Sequence, residues 1–233
     1  MIHGKKFVPY IMYGYPDIKY SYDKVIEFSE IADLIEIGYP FSDPIADGKT
    51  IHSAATVAIK KGVTFKGYLE FIKKIKKTTK KTVYSMTYYN PVLNYGIEKY
   101  IKSEIDGFII PDLIAEESSE IIFYAEKYKK KSVFIVTPDT SAERIKYISS
   151  MTTGFIYYVT YSGVTGNKVK IDKKVLEKIS EIKKISGHEV YVGFGIRTPS
   201  DLKTVLKYAD GGIIGSAILE NKILPEDISL IMK

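Results

Sequence analysis

Short apolar runs and longer amphipathic stretches take turns along the whole chain. Eight runs rich in β-branched, aromatic and other apolar residues occupy positions 7–13, 34–38, 82–88, 107–110, 132–136, 155–160, 190–193 and 211–214. Several of them are apolar without alternation, as expected of strands buried on both faces of a parallel sheet. The stretches between them carry helical spacing instead. Val25, Phe28 and Ile31 form one stripe, and Tyr68, Phe71, Ile72 and Ile75 another. Ile121, Ile122 and Ala125, then Ile145 and Ile148, then Val175, Ile179 and Ile182, and finally Leu202, Val205 and Leu206 continue the series. Ser141, Asp172 and Ser200 stand where helix N-caps are expected. Strands alternating with helices in this way predict an α/β fold: a single-domain (β/α)8 TIM barrel over residues 1–233. An open doubly wound sheet is the alternative topology. No linker rich in Pro, Gly or Ser divides the chain.

Composition narrows the chemistry. The absence of cysteine removes disulfides, thiolate metal sites and a cysteine nucleophile together. The three histidines, His3, His52 and His188, have no metal-like spacing. A net charge of +6 raises the possibility of nucleic-acid binding, yet only Arg144 and Arg197 among the 34 basic residues are arginines. The lysines cluster at 73–81, 127–131, 168–174 and 183–184, in or beside helical stretches, with Tyr128 the single aromatic inside any of these clusters. They read as solvated helix faces rather than a nucleic-acid groove. The start, MIHGKK, contains no apolar signal segment, and no run approaches the ~18 apolar residues of a membrane span, so a cytoplasmic protein is expected.

In a barrel of this kind chemistry sits at the carboxyl ends of the strands and in the loops that follow. Glu36 interrupts the apolar second strand, where an ionised side chain is costly without a partner. It reads either as a functional acid or as a buried structural ion-pair partner. The following loop, Pro40 to Gly48, is restrained by two prolines and carries Asp47, which can fold back over the barrel mouth. Two carboxylates at one mouth can move protons on and off a substrate, whereas Asp47 alone could be a helix cap. Glycine-bearing turns follow the last three strands: Ser162 to Gly166, Gly193 to Gly195, and Gly215-Ser216-Ala217. Glycine lets backbone amides approach an anion, so this end of the barrel is a candidate phosphate site. With no histidine closely following a strand and no lysine inside one, a carboxylate acid/base mechanism on a phosphorylated substrate remains.

The segments LIEIGYPFSDPIADG (34–48), YSGVTG (161–166), GFGI (193–196) and GSAI (215–218), with FVPYIMYGYPD (7–17), resemble the tryptophan synthase alpha chain family in order over nearly the whole chain. The resemblance implies a lyase of tryptophan biosynthesis that cleaves indole-3-glycerol phosphate into indole and glyceraldehyde 3-phosphate by a retro-aldol reaction. It places the family's catalytic glutamate on Glu36 and its catalytic aspartate on Asp47. Tyr157 would line the pocket, Thr165 would hydrogen-bond Asp47 from a closing loop, and amides of Gly166, Gly195, Gly215 and Ser216 would hold the phosphate. No cofactor or metal is implied; pyridoxal phosphate belongs to the beta-chain partner, with which an α2β2 tetramer is expected. Asp43, Pro44, Asn90 and Asn94 would face that partner.

The chain departs from the family pattern in several places. Only six residues precede Phe7, so the helix that plugs the barrel floor in the family is expected to be missing, and one helix is expected after Ser216. Lys49 and Tyr161 stand where the family often has proline and arginine. Two other readings compete: a different phosphate-binding barrel isomerase or aldolase, and a non-catalytic subunit that only activates its partner. Retention of Glu36, Asp47 and the glycine turns argues against both.

Overall fold

Strand follows strand around the sheet in chain order. The computed structural model describes residues 4–160, 171–193 and 195–232. Its parallel strands are β1 (Lys6–Met12), β2 (Leu34–Gly38), β3 (Thr82–Met86), β4 (Gly107–Ile109), β5 (Lys131–Val136), β6 (Ile156–Val159), β7 (Val190–Gly193) and β8 (Gly211–Ile214). Each pairs with the next, and β8 pairs back onto β1 to close the barrel. Around it lie α1 (Ile18–Ser29), α2 (Lys49–Lys60), α3 (Phe65–Thr79), α4 (Tyr89–Tyr95), α5 (Ile97–Ile101) and α6 (Ser119–Lys127). The series continues with α7 (Ala142–Met151), α8 (Lys173–Ser186), α9 (Pro199–Val205), α10 (Ser216–Leu219) and α11 (Pro225–Met232). The closed barrel excludes the open doubly wound sheet.

The strands lack alternation because both of their faces are buried. Phe7, Ile11, Ile35, Ile37, Val83, Phe108 and Val192 pack outward against helix residues such as Phe28, Ile72 and Leu202. Val8, Tyr10, Met12, Ile109, Val133, Tyr157 and Ile213 fill the barrel interior. Strand ends differ from the sequence expectation where the backbone turns early. β3 stops at Met86, whose register partner is Ile109, because the backbone then turns into α4 and Tyr88 becomes the residue that precedes that helix. The cap of α9 is Thr198, not Ser200. Pro199 fits the first helical position, and Thr198 and Asp201 bond each other's backbone N–H at 3.1 and 2.9 Å. Ser141 and Asp172 cap α7 and α8 as expected. Two helices rather than one follow β8, because the four-residue α10 ends before α11 begins.

The amino-terminal floor of the barrel is closed by stacked rings. Phe155 lies against Tyr191 at a centroid separation of 4.1 Å and against Tyr84 at 5.6 Å, both pairs nearly parallel. Rings this large fit because the neighbouring strand positions are glycines. A Cβ on Gly211 would lie 2.7 Å from the Tyr191 ring, and one on Gly107 would lie 2.8 Å from Tyr84. Aspartates immediately before β2, β4 and β8 tie the rim together. Asp33, Asp106 and Asp210 accept backbone N–H groups of Phe7, Val83 and Val190 at 2.9, 2.8 and 3.1 Å. Each also pairs with lysine: Lys6, Lys76 and Lys183 respectively. No helix among the described residues is long and apolar enough to cross a membrane.

Candidate active site

Glu36 stands in the middle of β2 with its side chain inside the barrel and is 1% exposed. Neither carboxyl oxygen has a hydrogen-bond partner among the described residues. A buried ionised carboxylate without partners is strongly disfavoured, so burial, and secondarily the charge of Asp47, pushes the Glu36 pKa up to about 8. The ion-pair alternative for this residue is thereby removed: no cation among the described residues meets it.

Asp47 reaches the same mouth from the loop after β2. Its side chain does not cap α2, because Gly48 is the cap residue and makes no side-chain bond there. Lys49 occupies the first helical position, where the proline it replaces would also fit. Burial raises the Asp47 pKa to about 6, against the opposing pull of a hydrogen bond from Tyr88 and the charge of His52. Two carboxyl groups near one another are thus held at different protonation tendencies, the arrangement that separates an acid from a base.

Tyr88 holds this loop in place. Its hydroxyl accepts the Ala46 N–H at 3.1 Å and faces Asp47, and its ring stacks on Phe41 at 4.9 Å. The Tyr89 N–H next to it is fixed by Asp112 at 2.9 Å, so the start of α4 is anchored as well. In the sequence Tyr88 reads as the end of a strand, which conceals this role.

Tyr157 projects inward from β6, is buried, and faces both Glu36 and Asp47. Gly193 on the adjacent β7 makes room for it; a Cβ there would lie 2.2 Å from the Tyr157 hydroxyl. Tyr10 is placed in the same manner on the other side. It is the register partner of Glu36, and a Cβ on Gly38 would lie 2.1 Å from its hydroxyl. Nothing in the sequence singles out Tyr10, because it sits inside an apolar run with no charge to mark it.

Gly195, at φ 88°, follows β7, and Gly215 and Ser216 follow β8, so these candidate phosphate residues share the mouth with the carboxylates. The Gly215 position is close-packed: a Cβ there would lie 3.1 Å from the Tyr10 ring. Thr165 and Gly166 lie outside the described residues. Among the described residues no group of three or more His, Cys, Asp or Glu side chains is placed to hold a metal ion.

A separate surface groove of about 420 Å³ opens beside the loop after β2. Tyr39, Phe41, Ser42, Phe65, Asn90 and Asn94 are among the residues that line it. Ile45 in the same loop is 72% exposed, and Leu93 on α4 is 50% exposed. The groove therefore brings together two of the expected partner-facing residues, Asn90 and Asn94. Asp43 and Pro44 are in the loop itself.

Comparison with known proteins agrees with this geometry. The family model described as tryptophan synthase alpha chain matches residues 2–226. A tryptophan synthase alpha chain of Thermoanaerobacter pseudethanolicus is 38% identical over 221 residues, covering 93% of this chain and 84% of that protein. One from Prochlorococcus marinus is 39% identical over 219 residues, covering 91% and 78%. A solved structure of the tryptophan synthase a2b2 complex from the hyperthermophile Pyrococcus furiosus superposes with a TM-score of 0.87 at 32% identity, covering 97% of this chain and 94% of that one. With a family match over nearly its full length and a barrel that superposes on a solved relative, the chain belongs to the tryptophan synthase alpha chain family.

Proposed function

We propose that the chain cleaves indole-3-glycerol phosphate into indole and glyceraldehyde 3-phosphate, with Glu36 and Asp47 as its acid/base pair. The observation that carries the reading is the buried Glu36, without a hydrogen-bond partner among the described residues and facing Asp47 at the mouth of the barrel. Glu36 begins protonated and gives its proton to the indole ring carbon that bears the glycerol chain. The ring nitrogen then carries positive charge, and the Asp47 carboxylate accepts the hydrogen bond of its N–H. The resulting Glu36 carboxylate removes the proton of the adjacent chain hydroxyl as the carbon–carbon bond breaks. The bond electrons return to the ring, indole and the aldehyde separate, and Glu36 is protonated again. Protons alone are moved, so this chemistry calls for no cofactor.

Tyr157 would line the indole pocket, and the amides of Gly195, Gly215 and Ser216 would hold the phosphate at the far end of the chain. The groove beside Phe41, Asn90 and Asn94, with the exposed Ile45 and Leu93, suits a beta-chain partner in an α2β2 assembly, and pyridoxal phosphate would reside in that partner. A cytoplasmic location fits a partner of this kind. The test is Glu36→Gln, which keeps the shape of the side chain but cannot shuttle a proton. Indole release should fall by at least ~100-fold with the fold intact. Activity within a few-fold of the parent would overturn the assignment.

A further inference from the structure

The mouth contains one more polar group with no established task. Tyr10 is 7% exposed and packs in the barrel interior, with its hydroxyl at the carboxyl end of β2 over Gly38. Its hydrogen-bond contact among the described residues is the Met12 thioether sulfur at 3.9 Å, a weak acceptor. A buried hydroxyl usually has a better partner, and a group left without one calls for a reason. Its surroundings supply one. The hydroxyl occupies the space opened by Gly38 at the end of β2, while the ring passes under Gly215 after β8. Of the charged groups around it, Asp47 acts on the hydroxyl most strongly and Glu36 next. Tyr10 therefore spans the distance between the two carboxylates and the glycine turn after β8.

A substrate with an indole ring at one end and a phosphate at the other must lay its glycerol chain across that span. One chain hydroxyl is claimed by Glu36 in the bond-breaking step. The other, on the middle carbon, has no partner in the mechanism so far. We propose that the Tyr10 hydroxyl hydrogen-bonds the middle hydroxyl of the glycerol chain and so selects a hydroxylated substrate over a plain alkyl phosphate. This rests on the proposed function and deepens it. A phenylalanine at this position would fill the same space and supply no such bond.

The experiment compares Tyr10→Phe with its parent in a Glu36→Gln background, which holds substrate without turnover. Two probes are titrated: indole-3-glycerol phosphate and indole-3-propanol phosphate, which lacks both chain hydroxyls. The lost bond should weaken binding of the glycerol phosphate about fivefold and leave the propanol phosphate within about twofold. Equal weakening of both probes would assign Tyr10 a packing role only, and no weakening of either would remove it from the site; each result overturns the proposal. Failure of the underlying reading shows separately, as indole released by the Glu36→Gln protein or as no binding of either probe to the parent.

Discussion

Glu36 should destabilise the protein it serves, by an amount that depends on pH. Its pKa is about 8 in the folded chain against an ordinary 4.5. Between those values the folded state keeps a proton that the unfolded chain has released, so stability falls as pH rises through this window. At pH 7 the group has traversed about 2.5 pH units of it, which corresponds to about 3 kcal/mol, and at pH 8 to about 4 kcal/mol. Glu36→Gln removes the titration and keeps the shape. Because neither Glu36 oxygen has a partner among the described residues, the amide breaks no hydrogen bond to them. The variant should match the parent near pH 4.5 and exceed it progressively above, by roughly 6–12 °C in Tm at pH 7. Thermal unfolding of both proteins, followed by circular dichroism from pH 4.5 to 8.5, measures the difference directly. A difference that does not change with pH, or a variant less stable than the parent at pH 8, would refute the claim that this carboxyl is buried without compensation.

The same two groups shape the rate. Asp47 must be ionised, which holds above about 6, and Glu36 must be protonated, which holds below about 8, so kcat/KM should peak at about pH 7 and fall on both sides; a flat profile from about pH 5.5 to 8.5 would contradict the assignment. Tyr88→Phe removes the hydroxyl that accepts the Ala46 N–H and favours the charged form of Asp47, so activity should drop roughly 5- to 50-fold and the acidic limb should move to higher pH. An unmoved limb would mean that Tyr88 does not act through Asp47.

The barrel was legible because its strands are continuous apolar runs with helices between them, the pattern that a parallel sheet covered on both faces imposes. Glu36 was legible as well, as a charge where none is expected. Asp47 was not separable from a helix cap by its residues alone; the structure separates them, since Gly48 takes the cap position. What stayed hidden acts between distant positions. Tyr88 works on Ala46, 42 residues before it, and nothing local marks a tyrosine for that role. The end of β3 was overrun because a Thr-Tyr pair has strand propensity, while the start of α4 that ends the extended run is anchored from elsewhere in the chain, by Asp112 on the Tyr89 N–H. The aspartates before β2, β4 and β8 form a weak internal repeat, ADL, IDG and ADG, too short to stand out before their shared task at the rim was visible.

The two ends of the barrel meet one packing problem with opposite results. Both fill the interior with large aromatic side chains and make room with glycines on adjacent strands. At the floor the rings of Tyr84, Phe155 and Tyr191 stack on one another, and the Tyr191 hydroxyl finds Glu189 at 2.9 Å. Ring contact and polar partner are both satisfied there, so this end adds stability. At the mouth Tyr10 and Tyr157 lean their hydroxyls over Gly38 and Gly193 toward Glu36 and Asp47, and the Glu36 carboxyl they surround has no partner among the described residues. Polar groups left wanting in a dry cavity cost stability and leave directed bonding capacity that a substrate can complete. The cost is tolerable because it is confined to one end. The apolar shell between strands and helices, the stacked floor and the aspartate-tied rim hold the strands in register independently of the mouth. A barrel thus separates the parts that keep it folded from the parts that do its chemistry, along its own axis.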